Sequence, residues 1–512
     1  MEALGRRTIS QLLQTGAESN VTSALARMRE TARLNAFVRT FDETELLDQA
    51  KRLDADGDTP FRGRLPVAVK DNLCYRETTA ASRVLGAGAA DARRFVAPVE
   101  AEAVARLVKA GAVVVGKTNM DEFGMGSTGE ASAFGPTLNP WDSLRSPGGS
   151  SSGSAAAVAS GCVAVALGSD TGGSVRQPAS WCGVVGLKPR YGTVSRRGLL
   201  AYCSSTDTVG PLTNSVLDAA TVLQIIAGGD AGDLTTAARG PAPDYAVAVS
   251  AAALEGGGAP LRFGLLSREA GAVADGAVAD AAADAADRLA RASGTPLERI
   301  DLASLHEACV AYYVVAACEA FTNLARYAAV SPEAHQAHQE LLAFGAAGAD
   351  EPYFVHSSGL GAEVKRRLAL GSTMLGARHA EHLYARAVRV REDVANELRA
   401  VFQKVDVLVS PVAPTTARLL GDFDAPDAWA DPVLRAASEL VRAVVPSLPA
   451  AYRDDEFTCF ASLSGHAALS LPAARCSQGL PIGVQLVAND ECTLLRAGRL
   501  HELLTPDALG RR

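Results

Sequence analysis

Two periods of apolar residues run along this chain. Over residues 8–35, Leu12, Leu13, Val21, Leu25 and Met28 make a helical stripe, which predicts one or two amphipathic helices. A more polar helix is predicted over Glu43–Leu53. Leu65-Pro-Val-Ala-Val69 is an unbroken apolar run ending on Lys70-Asp-Asn72, and it reads as a buried strand. Glu100–Ala110 reads as a helix stopped by Gly111, with Ala112–Val115 the strand after it. Ser154–Ala159 and Val163–Leu167 repeat the order of helix and strand. Alternating helices and fully apolar strands predict an α/β fold whose mixed, twisted central sheet is covered by helices on both faces.

From about residue 215 the pattern changes. Asn214 stands where it would cap a helix through Ile226, which stops at Gly228-Gly229. Residues 229–260 are rich in Ala, Gly and Pro and read as a surface excursion. Further strands are predicted at Leu261–Leu265, Val405–Val409, Ala468–Leu471 and Ile482–Leu486, and further helices at Ala277–Ala292 and Ala377–Phe402. The late strands are expected to rejoin the first sheet. That makes residues 1–512 one domain, with a core at about 60–215 plus 400–490 and a peripheral helical region at about 216–400. No internal repeat is evident.

Composition narrows the function classes. The net charge is −8, so no global basic field draws the chain to nucleic acid. Nine scattered cysteines include no CxxC pair, which favours buried reduced thiols and an intracellular compartment. The small-apolar stretch Ala155–Leu167 is too short to span a bilayer, and Met1–Arg7 is followed by no apolar signal region. The histidine pairs His335/His338 and His379/His382 have helical spacing but no evident third ligand, so no metal site is predicted.

Three segments carry candidate chemistry: Val67-Ala-Val-Lys70-Asp-Asn72, Pro147-Gly-Gly-Ser150-Ser-Ser-Gly-Ser154 and Gly168-Ser-Asp-Thr-Gly-Gly-Ser174-Val-Arg-Gln177. A flexible linker would not run straight into apolar helix and strand, and a phosphate loop would need the lysine of GxxxxGK[ST]. Small residues after a strand can instead aim several backbone N–H groups at one oxyanion, with a serine at the end of the turn as nucleophile. That serine needs a base. All eight histidines lie beyond residue 300, which weakens a Ser-His-Asp reading without excluding it. Lys70 is the alternative, because burial at a strand end favours its neutral amine. A salt bridge from Lys70 to Asp71 or another acid is the equal competing reading.

These segments resemble the amidase signature family, whose members use a Ser–cis-Ser–Lys triad. The resemblance implies Lys70 as base, Ser150 after a cis peptide as bridging serine, and Ser174, 24 residues later, as nucleophile. It implies Thr171, Gly172 and Gly173 as the oxyanion hole. Gly116-Lys-Thr-Asn-Met-Asp-Glu-Phe123, Phe134–Asp142, Cys182–Pro189 and Glu363–Gly371 further resemble the A-type subunits of glutamyl-tRNA(Gln) amidotransferases. That likeness implies a glutaminase whose pocket takes the zwitterion through Arg367, Asp455 and Tyr312. It also implies B-type and C-type partner subunits, ATP and Mg²⁺ on the B-type partner, no cofactor on this chain, and tRNA met through the partner. Bacterial cytoplasm, mitochondrion and plastid all suit such an enzyme. Two other readings stay open: a stand-alone amidase and a non-catalytic assembly component.

The chain departs from the family pattern in four places. Ser152 stands where a glycine is usual, the stretch after Asn323–Tyr327 differs, residues 432–453 look inserted, and Phe460–His466 replaces Pro-x-Asn-Leu-Ala-Gly.

Overall fold

The computed structural model describes residues 7–85, 96–238, 240–250, 259–267, 275–327, 359–376, 380–422, 450–506 and 508. The histidines His335, His338 and His379, the residues after Tyr327 and most of the 432–453 stretch lie outside the described residues.

One 11-stranded mixed sheet runs through the molecule. Its strands are β1 (Phe37–Thr40), β2 (Leu65–Lys70), β3 (Ala112–Thr118), β4 (Val165–Asp170), β5 (Val185–Lys188), β6 (Thr208–Thr213), β7 (Phe263–Leu266), β8 (Leu297–Ile300), β9 (Val407–Pro411), β10 (Ala467–Arg475) and β11 (Pro481–Ala488). The spatial order is β1-β3-β2-β4-β6-β5-β10-β11-β9-β7-β8. β2 pairs in parallel with β3 and β4, whereas β10 joins β5 and β11 antiparallel. The late strands therefore do rejoin the early ones, through β10 against β5.

Both sheet faces are covered, as continuous apolar strands require. Val407, Val409, Leu469, Leu471, Val484 and Leu486 face one core, and Leu408, Ala468 and Val487 face the other. The first core is closed by the helices Ala17–Glu30, Val216–Ile226, Gly276–Ser293 and Glu491–Leu504, which pack on the sheet or on one another. The second is closed by Leu305–Leu324, Ala362–Leu375, Tyr384–Lys404 and Glu456–Leu463.

Some predicted boundaries are corrected. Asn214 is not the cap. Ser215 accepts from Asp218 N, while Asn214 Nδ2 donates to Arg7 O at 3.1 Å. The excursion after Gly229 holds a short helix, Tyr245–Ala248, whose Tyr245 is buried in the first core. The long helix begins at Tyr384 rather than near Ala377.

What matters for chemistry is the carboxyl edge of the parallel strands. β2 ends on Lys70, β4 ends on Asp170 and β3 runs out into Asn119-Met-Asp121. Open α/β sheets collect their reactive side chains at this edge.

Candidate active site

Lys70 is fully buried. Its Nζ lies 2.7 Å from Ser150 Oγ, 2.9 Å from Ser169 Oγ and 3.3 Å from Ser169 O. Burial disfavours the ammonium form, and the facing carboxylates of Asp121, Asp170 and Asp207 compensate only in part, so its pKa falls from 10.5 to about 7. A neutral amine has two N–H groups and one lone pair. Ser169 can take both N–H groups, which leaves the lone pair for the Ser150 hydroxyl. The competing Lys70–Asp71 bridge does not form. Asp71 lies instead 3.4 Å from Lys117 Nζ and accepts from Thr79 N and Ala81 N, each at 3.1 Å.

The peptide bond before Ser150 is cis. Glycine is obligatory there, because a Cβ on Gly149 would lie 2.1 Å from Asp121 Oδ2. Asp121 accepts from Gly129 N and Ala131 N at 3.0 Å, and its own N–H donates to Ser150 O at 3.3 Å. Ser152, where the family has glycine, is accommodated: its hydroxyl meets Thr137 Oγ1 at 3.1 Å.

Ser174 ends the turn after β4. Its carbonyl accepts from Ser151 N at 3.1 Å, which ties the two serine segments together. Among the described residues its hydroxyl makes no hydrogen bond, and the N–H groups of Thr171, Gly172, Gly173 and Ser174 find no acceptor. Consecutive buried donors without acceptors are an anion cradle. A Cβ on Gly172 would lie 2.3 Å from Tyr312 Cζ, and one on Gly173 would lie 2.4 Å from Thr458 Oγ1. Asp170 anchors the turn. It accepts from Val175 N at 3.1 Å and from Arg176 Nη2 at 2.8 Å, with both side chains fully buried. Burial pushes the Asp170 carboxyl up, but the Arg176 guanidinium outweighs it and holds the group below its ordinary value. Arg176 also donates to Ser462 Oγ at 2.8 Å, so a residue of the divergent Phe460–His466 segment supports this pair.

The helix Ala362–Leu375 brings in Arg367, almost fully buried. Its Nε donates to Glu363 Oε1 at 2.7 Å, and its Nη1 donates to Tyr202 Oη. The guanidinium lies 5.3 Å from the Tyr313 ring, 5.5 Å from Tyr452 and 5.6 Å from Tyr202. Asp455, also buried, accepts from Ser127 Oγ at 2.7 Å and from Tyr313 Oη. Desolvation raises its pKa; the hydrogen bonds and the charge of Arg367 oppose that rise. Its acidic neighbours point elsewhere, Asp454 to Arg418 at 2.6 Å and Glu456 to His306 at 3.7 Å. Tyr312 covers Gly172.

The structure therefore gathers Lys70, Ser150, Ser169 and Ser174 at one edge of the sheet, with Arg367, Asp455 and Tyr312 beside them. Ser127, Tyr202, Tyr313, Glu363 and Tyr452 complete the pocket and were not singled out from sequence. Glu363 opens the Glu363–Gly371 segment and Tyr313 follows Tyr312; Ser127, Tyr202 and Tyr452 carried no local signal. Among the described residues no three His, Cys, Asp or Glu side chains converge as metal ligands. All nine thiols are free, and no described helix is long and apolar enough to cross a membrane.

A buried amine, a serine after a cis peptide and a serine in an N–H-lined turn define an amidase site, and the chain belongs to the amidase family, whose model matches residues 19–495. Among curated proteins it is similar to the A-type subunit of glutamyl-tRNA(Gln) amidotransferase from Lachnospira eligens, 40% identical over 500 residues, covering 96% of this chain and 95% of that one. Among solved structures it is similar to the corresponding A-type subunit from Thermotoga maritima. That match has a TM-score of 0.73 and 33% identity, covering 97% of this chain and 94% of the other. The native peptide amidase from Stenotrophomonas maltophilia matches with a TM-score of 0.74 and 26% identity, over 98% of this chain and 97% of that one.

Proposed function

We propose that this chain is the glutamine-hydrolysing A-type subunit of a glutamyl-tRNA(Gln) amidotransferase. The observation that carries the reading is the buried Lys70 amine, 2.7 Å from Ser150, beside the unpaired N–H groups that lead to Ser174. Ser174 Oγ attacks the side-chain amide carbon of glutamine. Its proton passes to Ser150, whose own proton passes to the Lys70 lone pair. The N–H groups of residues 171–174 hold the developing oxyanion, the largest single contribution expected in such a site. The C–N bond then breaks as the relay returns a proton to nitrogen, and ammonia leaves. Water, deprotonated through the same relay, hydrolyses the glutamyl ester.

Recognition falls to the charged pair. Arg367 takes the α-carboxylate and Asp455 the α-ammonium, with Tyr312 lining the pocket. The two A-type subunits named above support a place in such an amidotransferase. The ammonia passes to a B-type subunit that activates Glu-tRNA(Gln) with ATP and Mg²⁺, a C-type subunit joins the two, and this chain meets tRNA only through them. Such an enzyme works where Glu-tRNA(Gln) is made, in bacterial cytoplasm, mitochondrion or plastid.

A stand-alone amidase is the rival, since the reacting groups fit any carboxamide; the Arg367–Asp455 pair is the feature that favours glutamine. The deciding experiment measures ammonia release from glutamine and from propionamide, then Gln-tRNA(Gln) formation after adding B-type and C-type subunits. Equal turnover of both amides, with no Gln-tRNA(Gln), would sink the reading.

A further inference from the structure

Tyr313 and Tyr452 stack face to face, with centroids 4.2 Å apart and planes 14° off parallel. Each hydroxyl holds an acidic group of the pocket. Tyr313 donates to Asp455 Oδ2, and Tyr452 donates to Glu363 Oε1 at 2.9 Å. The same Glu363 oxygen accepts from Arg367 Nε at 2.7 Å, so Tyr452 shares a carboxylate with the guanidinium. Both rings also face that guanidinium, at 5.3 and 5.5 Å. The stack therefore touches the cationic pole and the anionic pole at once. Tyr312, the preceding residue, meets Tyr313 edge-on at 5.0 Å and lies against Gly172. The helix that carries Tyr313 thus also contacts the oxyanion turn.

The pocket carries charges of both signs. Glu363 pairs with both Arg366 and Arg367, and Asp455 supplies the second negative charge. The pocket thus offers both a cation, Arg367, and an anion, Asp455, so a ligand with one charge leaves one of them unmatched out of water, whereas a zwitterion does not. Discrimination then depends on how rigidly the poles are spaced, and two packed rings with few rotatable bonds supply that rigidity.

We infer that the Tyr313–Tyr452 stack is a specificity-determining spacer that fixes Asp455 relative to Arg367, selecting amides of α-amino acids over amides with one charge or none. The inference rests on the glutamine reading above. Neither tyrosine touches the reacting serines; both act as positioning residues through Asp455, Glu363 and Arg367.

The test is steady-state kinetics of the full-length chain with glutamine, glutaramate (which lacks the ammonium) and propionamide. In Tyr313→Phe the ratio of kcat/KM for glutamine over glutaramate should fall about tenfold, the scale of one hydrogen bond to a charged group. In Tyr452→Phe the ratio for glutamine over propionamide should fall by several-fold, mainly through KM. Both substitutions keep the ring and the stack, so they preserve the packing. A wild type that hydrolyses propionamide as efficiently as glutamine overturns the glutamine reading and the spacer with it. A wild type that prefers glutamine, with both ratios unchanged within about twofold in both variants, overturns the spacer alone.

Discussion

Replacing Lys70 by methionine tests the chemical state on which the mechanism depends. The folded lysine titrates near 7 against an ordinary 10.5, because burial expels charge. That difference corresponds to ~5 kcal/mol of destabilisation at and below pH 7. Between the two values the unfolded chain holds a proton that the folded chain has released. Unfolding therefore takes up a proton, and stability rises with pH at ~1.4 kcal/mol per pH unit. Above 10.5 both states are neutral and the term vanishes. Lys70→Met removes this whole pH dependence while keeping a side chain of similar length. It also removes the contacts to Ser150 and Ser169, a loss of about 1 kcal/mol each that does not vary with pH. The variant should lack activity, yet gain on the wild type by several kcal/mol at pH 7, with the advantage shrinking by ~2.7 kcal/mol at pH 9. Urea unfolding of both proteins at pH 7, 8 and 9 measures the difference, and contributions from groups that do not face Lys70 cancel. A constant difference across that range would mean that Lys70 keeps its proton when folded, and the neutral-base mechanism would fall.

Ser174→Ala should lower glutaminase turnover by ~10⁴-fold or more and leave the unfolding midpoint close to wild type; near-normal turnover would remove the proposed nucleophile. Lys70→Ala and Ser150→Ala should each be severely impaired, with a double variant little worse than either, since one relay is lost once; multiplicative losses in pre-steady-state assays would refute the relay. Arg367→Ala should cost about 2–5 kcal/mol of transition-state binding with glutamine and far less with propionamide, a comparison of kcat/KM that exposes a merely structural role if both substrates fall together. The pH–rate profile should lose activity below about 7 as Lys70 takes up a proton, and an acid limb displaced by several pH units would contradict the assignment.

The fold was legible where burial made strands uniformly apolar. β2, β3, β4 and the later β9, β10 and β11 lie close to their predicted positions because both faces of each are covered. β6 escaped notice because Thr208-Val-Gly-Pro-Leu-Thr213 carries Gly and Pro, which argue against a central strand. It is central nonetheless, between β4 and β5, and a Cβ on Gly210 would lie 1.9 Å from Leu187 O, so close backbone packing selects the glycine. The edge strands β1 and β8 are short and partly exposed, without an apolar run to reveal them. The Leu305–Leu324 helix hid for the opposite reason. It is buried around most of its circumference, so no amphipathic stripe marks it.

The same contrast separates the reacting groups from the groups that recognise substrate. Lys70 and Asp170 end neighbouring parallel strands, and Ser150 and Ser174 sit in glycine-rich turns beside them, so sheet geometry converts short local motifs into contact. A glycine whose missing Cβ is dictated by Asp121 or Tyr312 leaves a local mark in the sequence. Of the proposed recognition residues only Arg367, Asp455 and Tyr312 were marked, and these by resemblance to a family rather than by local geometry. Ser127, Tyr202, Tyr313, Arg367 and the Tyr452–Asp455 pair come from five separate segments, and the packing of helices on the second core brings them together. Asp121 joins the two sets. It lies under the Gly149–Ser150 turn and holds the Gly129 and Ala131 N–H groups at the end of the loop that presents Ser127; burial pushes its carboxyl up to about 6, against those N–H groups and the charges of Lys70 and Arg367. Chemistry common to many amides is thus written in contiguous motifs. The proposed choice of amide rests on tertiary contacts, and related amidases sharing this fold can diverge there without disturbing the proposed relay.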